Sequence, residues 1–344
     1  MNRLLIVQTA FLGDVVLSQP LWAAAKRCWP NADIDVLVQP QWAPLLAADP
    51  ALHEVLVFDK RRLDRGLTGL WRLASRLRRR RYDAAICPHP SFRSALLLAL
   101  AQIPVRVGFR DSAGRWLHTH RLPRDTGRPE PDRALSLLAA WGKNVATFVA
   151  APRLALHPQA IAQADEWREE WGLPVDRPYV CVHPGSVWAT KRWLPEGFAA
   201  VLSDLADDGY VPVILGGADD IILANLVQDR LRTLPINLAG RLSLPELSLV
   251  LARAALLITN DSGPMHMAGA LGTSVVAVFG STTPALGYAP VGSPNRVVEI
   301  EMPCRPCGPH GFQKCPLGHF HCMKQIAPAD VTAACRELLT ASRP

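Results

Sequence analysis

The segment Asn260-Asp261-Ser262-Gly263-Pro264-Met265-His266 follows an apolar stretch at 254–259 and opens a helical pattern. Small and polar residues at the carboxyl end of a buried strand, entering a helix, aim backbone N–H groups at an anion. Pro264 suits a first helical turn, where its missing N–H is no loss, and Gly263 lets a phosphate approach the backbone closely. Asp261, Ser262, Gly263 and His266 are therefore candidate contacts to a nucleotide or a diphosphate sugar. At another strand end, His183-Pro184-Gly185-Ser186 is followed by Thr190-Lys191-Arg192-Trp193. Ser186, Thr190 and Lys191 there either help neutralise a diphosphate leaving group or form an ordinary loop whose Trp193 packs inward. Gly216-Gly217-Ala218-Asp219-Asp220 ends a third strand. Its glycines admit a ligand to the backbone, and Asp219 either hydrogen-bonds ribose hydroxyls or caps the next helix.

A fourth strand end reads Gln8-Thr9-Ala10-Phe11-Leu12-Gly13-Asp14. Gly13 permits a tight turn, and Asp14 at the helix start is either an N-terminal cap or a general base for a sugar hydroxyl. The loop lacks G-x-G-x-x-G, which argues against a dinucleotide oxidoreductase. Cys304, Cys307, Cys315 and Cys322 are spaced C-x2-C-x7-C-x6-C, with His310, His319 and His321 among them. Four such thiols suit a tetrahedral structural zinc; reduced packing thiols or a labile disulfide are the other options. Cys28, Cys87, Cys181 and Cys335 sit in apolar surroundings and read as core.

To hold these residues, strands and helices must alternate, the pattern of parallel α/β sheets. Strands are expected at 4–8, 34–38, 54–58, 83–87 and 105–109, then at 179–183, 211–215, 236–238, 255–259 and 274–279. Helices are expected at 15–28, 67–78, 91–101, 132–141, 159–171, 196–207, 221–231, 245–253, 265–270 and 328–339. The stretch 110–131 reads as loop. Two doubly wound domains follow, 1–150 and 151–344, the second carrying the cysteine-rich segment 304–322 and a C-terminal helix. Ligands then bind where the strands end, in a cleft between the domains.

The chain of 344 residues is long enough for two cores, and 49% hydrophobic with 19% charged residues is ordinary globular composition. Its longest apolar run, 95–101, is far too short to span a bilayer. The N-terminus has no small-residue cleavage site, and the cysteines crowd near the C-terminus, so a reducing cytoplasm is expected. Residues 1–150 hold 22 Lys and Arg against 12 Asp and Glu; residues 151–344 hold 15 against 18, giving +7 overall. Between Lys60 and Arg81 stand ten basic residues and one acid, Asp64. This cluster, Lys60, Arg61 and Arg62 above all, either meets a phosphorylated lipid, nucleic acid or membrane surface, or is a solvated helix end. No nucleic-acid motif accompanies it, so nucleic acid is not an expected partner.

Together, the Gly13-Asp14 turn, HPGS with TKRW, GGADD and NDSGPMHMAGALGTSVVAVFG resemble glycosyltransferase family 9, the bacterial lipopolysaccharide heptosyltransferases. The resemblance runs from about residue 3 to residue 335. The tail CRPCGPHGFQKCPLGHFHCM is similar to the heptosyltransferase II branch. The resemblance implies a GT-B fold, with two Rossmann-like domains facing a central cleft, acceptor on the first and nucleotide-sugar donor on the second. It implies an inverting transfer of heptose from ADP-L-glycero-D-manno-heptose to the heptosyl-Kdo2-lipid A inner core, with no cofactor needed for the transfer. Asp14 then matches the base, Lys191 the phosphate-binding lysine, and Asp261, Ser262, Gly263 and His266 the donor loop. Asp219 and Asp220 do not align unambiguously with the family's ribose-contacting acid. The enzyme would work in the cytoplasm, peripherally at the inner face of the inner membrane. Alternatives are another sugar nucleotide or acceptor, a sugar-nucleotide epimerase, or a basic anion-binding protein.

Overall fold

Short runs of Val, Ile, Leu and Ala, apolar on both faces, are what a parallel sheet covered by helices demands. The computed structural model describes residues 1–341 and places such runs at the centre of two sheets. The chain separates into two compact units, Met1–Ala155 and Leu156–Pro344. The division falls later than residue 150 because Phe148, Ala150 and Leu154 still pack on the first core, and the Arg153 N–H donates to Gln19 Oε1.

The first unit runs β1 (Arg3–Val7), α1 (Leu12–Leu17), α2 (Gln19–Cys28), β2 (Asp33–Val38), α3 (Ala43–Leu46), β3 (Glu54–Val57), α4 (Gly66–Arg79), β4 (Ala84–Cys87), α5 (Phe92–Leu100), β5 (Val105–Phe109), β6 (His120–Leu122) and α6 (Glu130–Ser136). Its six-stranded sheet has the order β3-β2-β1-β4-β5-β6, and all its pairings are parallel. The strand order reverses at β1 and β4, where an open α/β sheet leaves a crevice at its carboxyl edge. The Gln8–Asp14 loop leaves β1 at that point. The expected helix at 15–28 is two helices, because Pro20 has no N–H to continue the ladder to the Val16 carbonyl; at the break the Ser18 hydroxyl turns back to the Asp14 carbonyl and takes a bond from Gln8 Nε2. β6 lies inside the stretch expected as loop and pairs with β5 as the sheet edge.

The second unit runs α7 (Pro158–Ala162), α8 (Ala164–Glu170), β7 (Tyr179–His183), α9 (Pro195–Asp207), β8 (Val211–Ile214), α10 (Ile221–Gln228), β9 (Ile236–Asn237), α11 (Leu244–Arg253), β10 (Leu256–Asn260), α12 (Gly263–Leu271), β11 (Val275–Val278), β12 (Asn295–Val298), α13 (His321–Lys324) and α14 (Pro328–Ala341). Its order, β12-β11-β10-β7-β8-β9, reverses at β10 and β7, so the loops after those two strands share one crevice. α14 packs on this unit's own sheet and α9: Val331, Cys335 and Leu338 are buried with Val201, Leu205 and Val276. Truncating one such core Leu to Ala costs about 2–5 kcal/mol. Among the described residues, no helix is long and apolar enough to cross a membrane.

Candidate functional site

In the first unit, Asp14 is the third residue of α1, and its carboxylate reaches back to accept the Phe11 N–H at 3.2 Å. The cap and the free carboxylate are compatible, since one oxygen serves the helix end and the other is left for chemistry. Burial raises this carboxyl from 3.8 to about 6, with the Glu130 charge adding and the Phe11 N–H and Arg124 opposing. Glu130, at the start of α6, is itself buried and accepts from Arg124 Nη2 at 3.0 and 3.1 Å and from Arg133 Nη1 at 3.1 Å. Sequence reasoning missed Glu130 and Arg124, which lie far along the chain beside a stretch without periodic pattern.

The loop leading to Asp14 is fixed through its carbonyls. Gln39 Nε2 donates to the Thr9 and Ala10 carbonyls, and Trp42 Nε1 donates to the latter at 3.0 Å. Lys60 Nζ donates to the Thr9 carbonyl at 3.1 Å and to its hydroxyl at 2.7 Å. Lys60 thus touches the Asp14 loop directly, and burial beside Arg93 lowers its ammonium to about 8. Arg61 and Arg62 are exposed, their backbone N–H groups held by Asp59 Oδ1.

In the second unit, Lys191 Nζ meets Asp261 Oδ2 at 2.6 Å, and the Thr282 hydroxyl donates to the same oxygen at 2.7 Å. Asn260 crosses the switch point: its Oδ1 accepts the Trp193 N–H at 2.9 Å, and its Nδ2 donates to the Pro184 carbonyl at 2.8 Å. Trp193 is buried against Phe198, as a packed loop requires, while Lys191 remains at the site. Thr190 Oγ1 pairs with Ser281 Oγ at 3.0 Å and accepts the Phe312 N–H at 2.8 Å. Ser186 lies half-buried, its carbonyl accepting from Arg192 Nε at 2.7 Å.

Ser262 is the N-cap of α12, a helix of nine residues, and its hydroxyl lies 3.4 Å from His183 Nδ1. His266, in the first turn, is buried, and burial lowers its imidazole to about 4, so it is neutral at pH 7. Its Nδ1 has no hydrogen-bond partner among the described residues, which a buried polar atom rarely tolerates without a ligand or water to meet it. On the neighbouring strand end, Asp219 is exposed, whereas Asp220 turns inward to His183 Nε2 at 3.5 Å and accepts the Gly217 N–H. Burial alone would raise the Asp220 carboxyl; the His183 bond and charge, the Gly217 N–H and Arg192 hold it below its usual range. Gly185 is required beside it, since a Cβ there would lie 2.1 Å from Asp220 Oδ1. Asp220 and His183 complete a constellation of Lys191, Asp261, Ser262, Gly263 and His266 around one helix start. The partial positive charge of the helix N-terminus and the lysine suit a phosphate.

The cysteine-rich segment braces this site. Cys307 N–H donates to the Ser281 carbonyl at 2.9 Å, Arg305 Nη2 donates to the Thr282 carbonyl at 2.8 Å, and Thr190 N–H donates to the Phe312 carbonyl at 3.0 Å. Among the described residues, the three ligand atoms that converge within 4.8 Å belong to Asp35, His53 and Glu54, and the four cysteine sulfurs form no such group. Cys304 Sγ stands 4.0 Å from His319 Nε2, Cys307 Sγ donates to the Cys304 carbonyl, and Cys322 is buried in the core. Asp35 and Glu54 are already bound by Arg80 and, for Asp35, Tyr82, an arrangement that ties β2, β3 and the end of α4 together.

A family model, glycosyltransferase family 9 (heptosyltransferase), matches residues 70–315. Lipopolysaccharide heptosyltransferase 2 of Escherichia coli K12 is 30% identical over 313 residues, 87% of this chain and 88% of that protein. Among solved structures, E. coli ADP-heptose LPS heptosyltransferase II superposes with a TM-score of 0.82 at 26% identity, covering 99% of each chain. The glycosyl transferase family 9 structure from Veillonella parvula shares the fold, with a TM-score of 0.88 at 24% identity over 99% and 98% of the two chains.

Proposed function

The chain belongs to glycosyltransferase family 9, and from that premise we propose that this heptosyltransferase of lipopolysaccharide core biosynthesis moves heptose, with inversion, from ADP-L-glycero-D-manno-heptose to the heptosyl-Kdo2-lipid A inner core. The donor belongs on the second unit and the acceptor on the first. The observation that carries the reading is the α12 start, where Lys191, Ser262 and His266, whose buried Nδ1 has no partner among the described residues, gather around the helix N-terminus. Asp14, ionised at neutral pH, takes the proton of an acceptor hydroxyl as it attacks the anomeric carbon. Lys191 and the N–H groups near Ser262 and Gly263 receive the charge that builds on the departing ADP. The ribose contact is read as Asp220, whose carboxylate turns inward, rather than the exposed Asp219. Lys60, Arg61 and Arg62 meet acceptor phosphates. The transfer is read as needing no cofactor, and a zinc at Cys304, Cys307, Cys315 and Cys322 would serve the fold and not the transfer. The work takes place in the cytoplasm, at the inner face of the inner membrane.

The test is ADP release from ADP-L-glycero-D-manno-heptose, with and without heptosyl-Kdo2-lipid A, for wild type and Asp14→Ala. Acceptor-dependent release that falls about 10²–10⁴-fold in the variant supports both the reaction and the base. Turnover of donor alone would point to an epimerase, and no release from folded protein would send the search to other sugar nucleotides and acceptors.

A further inference from the structure

Three large apolar side chains stand in water at the start of α4: Leu63 is 73% exposed, Leu67 78% and Trp71 60%. They follow at intervals of four, and Arg72 Nη2 donates to the Leu63 carbonyl at 2.9 Å, which folds the turn before the helix onto its first turns. The adjoining face of α4, with Leu70, Leu73, Ala74 and Leu77, is buried in the first core, while the strip beside it is left in water. Phe92 and Trp116, whose rings lie 6.2 Å apart and which follow β4 and β5, are also exposed at the carboxyl edge from which the turn at Leu63 departs.

Charge surrounds the strip. Arg61, Arg62 and Arg65 border it, and Arg78 and Arg79 continue the same helix; all five are exposed, and none makes an ion pair among the described residues. The one acid in the segment, Asp64, is buried, bonded to Arg76 and to the Asp59 N–H. Other basic residues of the run are committed elsewhere, Arg80 to Glu54 and Lys60 to Thr9. Exposed leucines and a tryptophan inside a ring of unpaired arginines fit the headgroup region of an anionic bilayer. Apolar groups gain by leaving water there, tryptophan favours the boundary, and the arginine stems snorkel to the phosphates.

We propose that the Leu63–Leu67–Trp71 strip inserts into the surface of an anionic membrane, with the flanking arginines on lipid phosphates. This deepens the functional reading above by naming the surface that meets the bilayer. Because α4 starts at the carboxyl edge that bears Asp14, docking by this strip sets the acceptor-side loops at the lipid surface.

The experiment is flotation of the full chain with vesicles of phosphatidylethanolamine containing about 30% phosphatidylglycerol, against neutral phosphatidylcholine vesicles, at low salt and in 0.5 M salt as an approximate screening limit. Wild type should float with anionic vesicles and retain a bound fraction in high salt. Leu63→Ser/Leu67→Ser/Trp71→Ser, checked for an unchanged melting temperature, should bind at least about tenfold more weakly. Arg78→Glu/Arg79→Glu should weaken binding at low salt only. Wild type that stays with the neutral fraction, or a triple variant that floats as well as wild type, overturns the proposal. So does a triple variant whose sedimentation, rather than vesicle binding, changes, since the strip would then join copies of the chain. The vesicles contain no acceptor, so failure of this test and failure of the transfer assay are distinguishable.

Discussion

At the scale of single residues, the two candidate sites place charge where the loss of water ordinarily forbids it. Asp14 is held half-buried with Glu130 adding to its proton affinity, so its carboxyl titrates near 6. A base must be ionised to act, so kcat/KM should fall about tenfold per pH unit below pH 6 and level off above it. Glu130→Gln removes a charge that raises the Asp14 value, and its acidic limb should move to lower pH; an unmoved limb in a pH–rate profile would remove Glu130 from this role. Lys191 and Asp261 make the opposite point, since each is buried mainly because the other is present. Lys191→Met strands Asp261 and should lower stability by about 3 kcal/mol; adding Asp261→Asn should recover most of that. If Lys191 grips the diphosphate, the double variant will melt normally yet keep a donor KM raised about tenfold or more. A double variant with wild-type KM would make the pair structural only.

At the scale of elements, function depends on loops leaving the switch points of two sheets, and on glycines that let them close in. Gly185→Ala puts a methyl on the Asp220 carboxylate and should displace it from His183, raising donor KM about tenfold while costing about 1–3 kcal/mol of stability; thermal melts and steady-state kinetics together would show it. Much of this framework was legible in the sequence. The central strands are continuous apolar runs such as the Val275–Val278 segment, and Gly, Asp and Ser at their ends mark the loops. Two of the four edge strands, β3 and β9, were legible, but the other two were not: β6 is three residues, His-Arg-Leu, and β12 is half-exposed, so neighbours rather than pattern define them. The break at Ser18 is written in Pro20, which interrupts the helical ladder although the apolar period runs on through it. The inward turn of Asp220 rather than Asp219 depends on the close approach of Gly185 and on His183. Glu130 and Phe312 reach their sites only through the folded chain.

At the scale of the whole molecule, each unit owns a sheet and a core, and the nucleotide contacts proposed here all fall in the second. ADP should therefore stabilise the chain by about 2.7 kcal/mol at one hundred times its Kd. The gain in amide-exchange protection should concentrate at 183–191, 216–220, 260–266 and 281–282; protection centred in residues 1–155 would reassign the donor. The two sheets also share one plan: both count outward from a central pair, two further strands on each side, in the same order. Strand order and buried core are what a mutation must not disturb, and here they are solved twice, independently. Loops at one carboxyl edge are thus free to drift without re-solving the other. Over evolutionary time, such a chain can exchange what it decorates while keeping the nucleotide it spends, and the basic, apolar-studded first unit is where lineages should differ most.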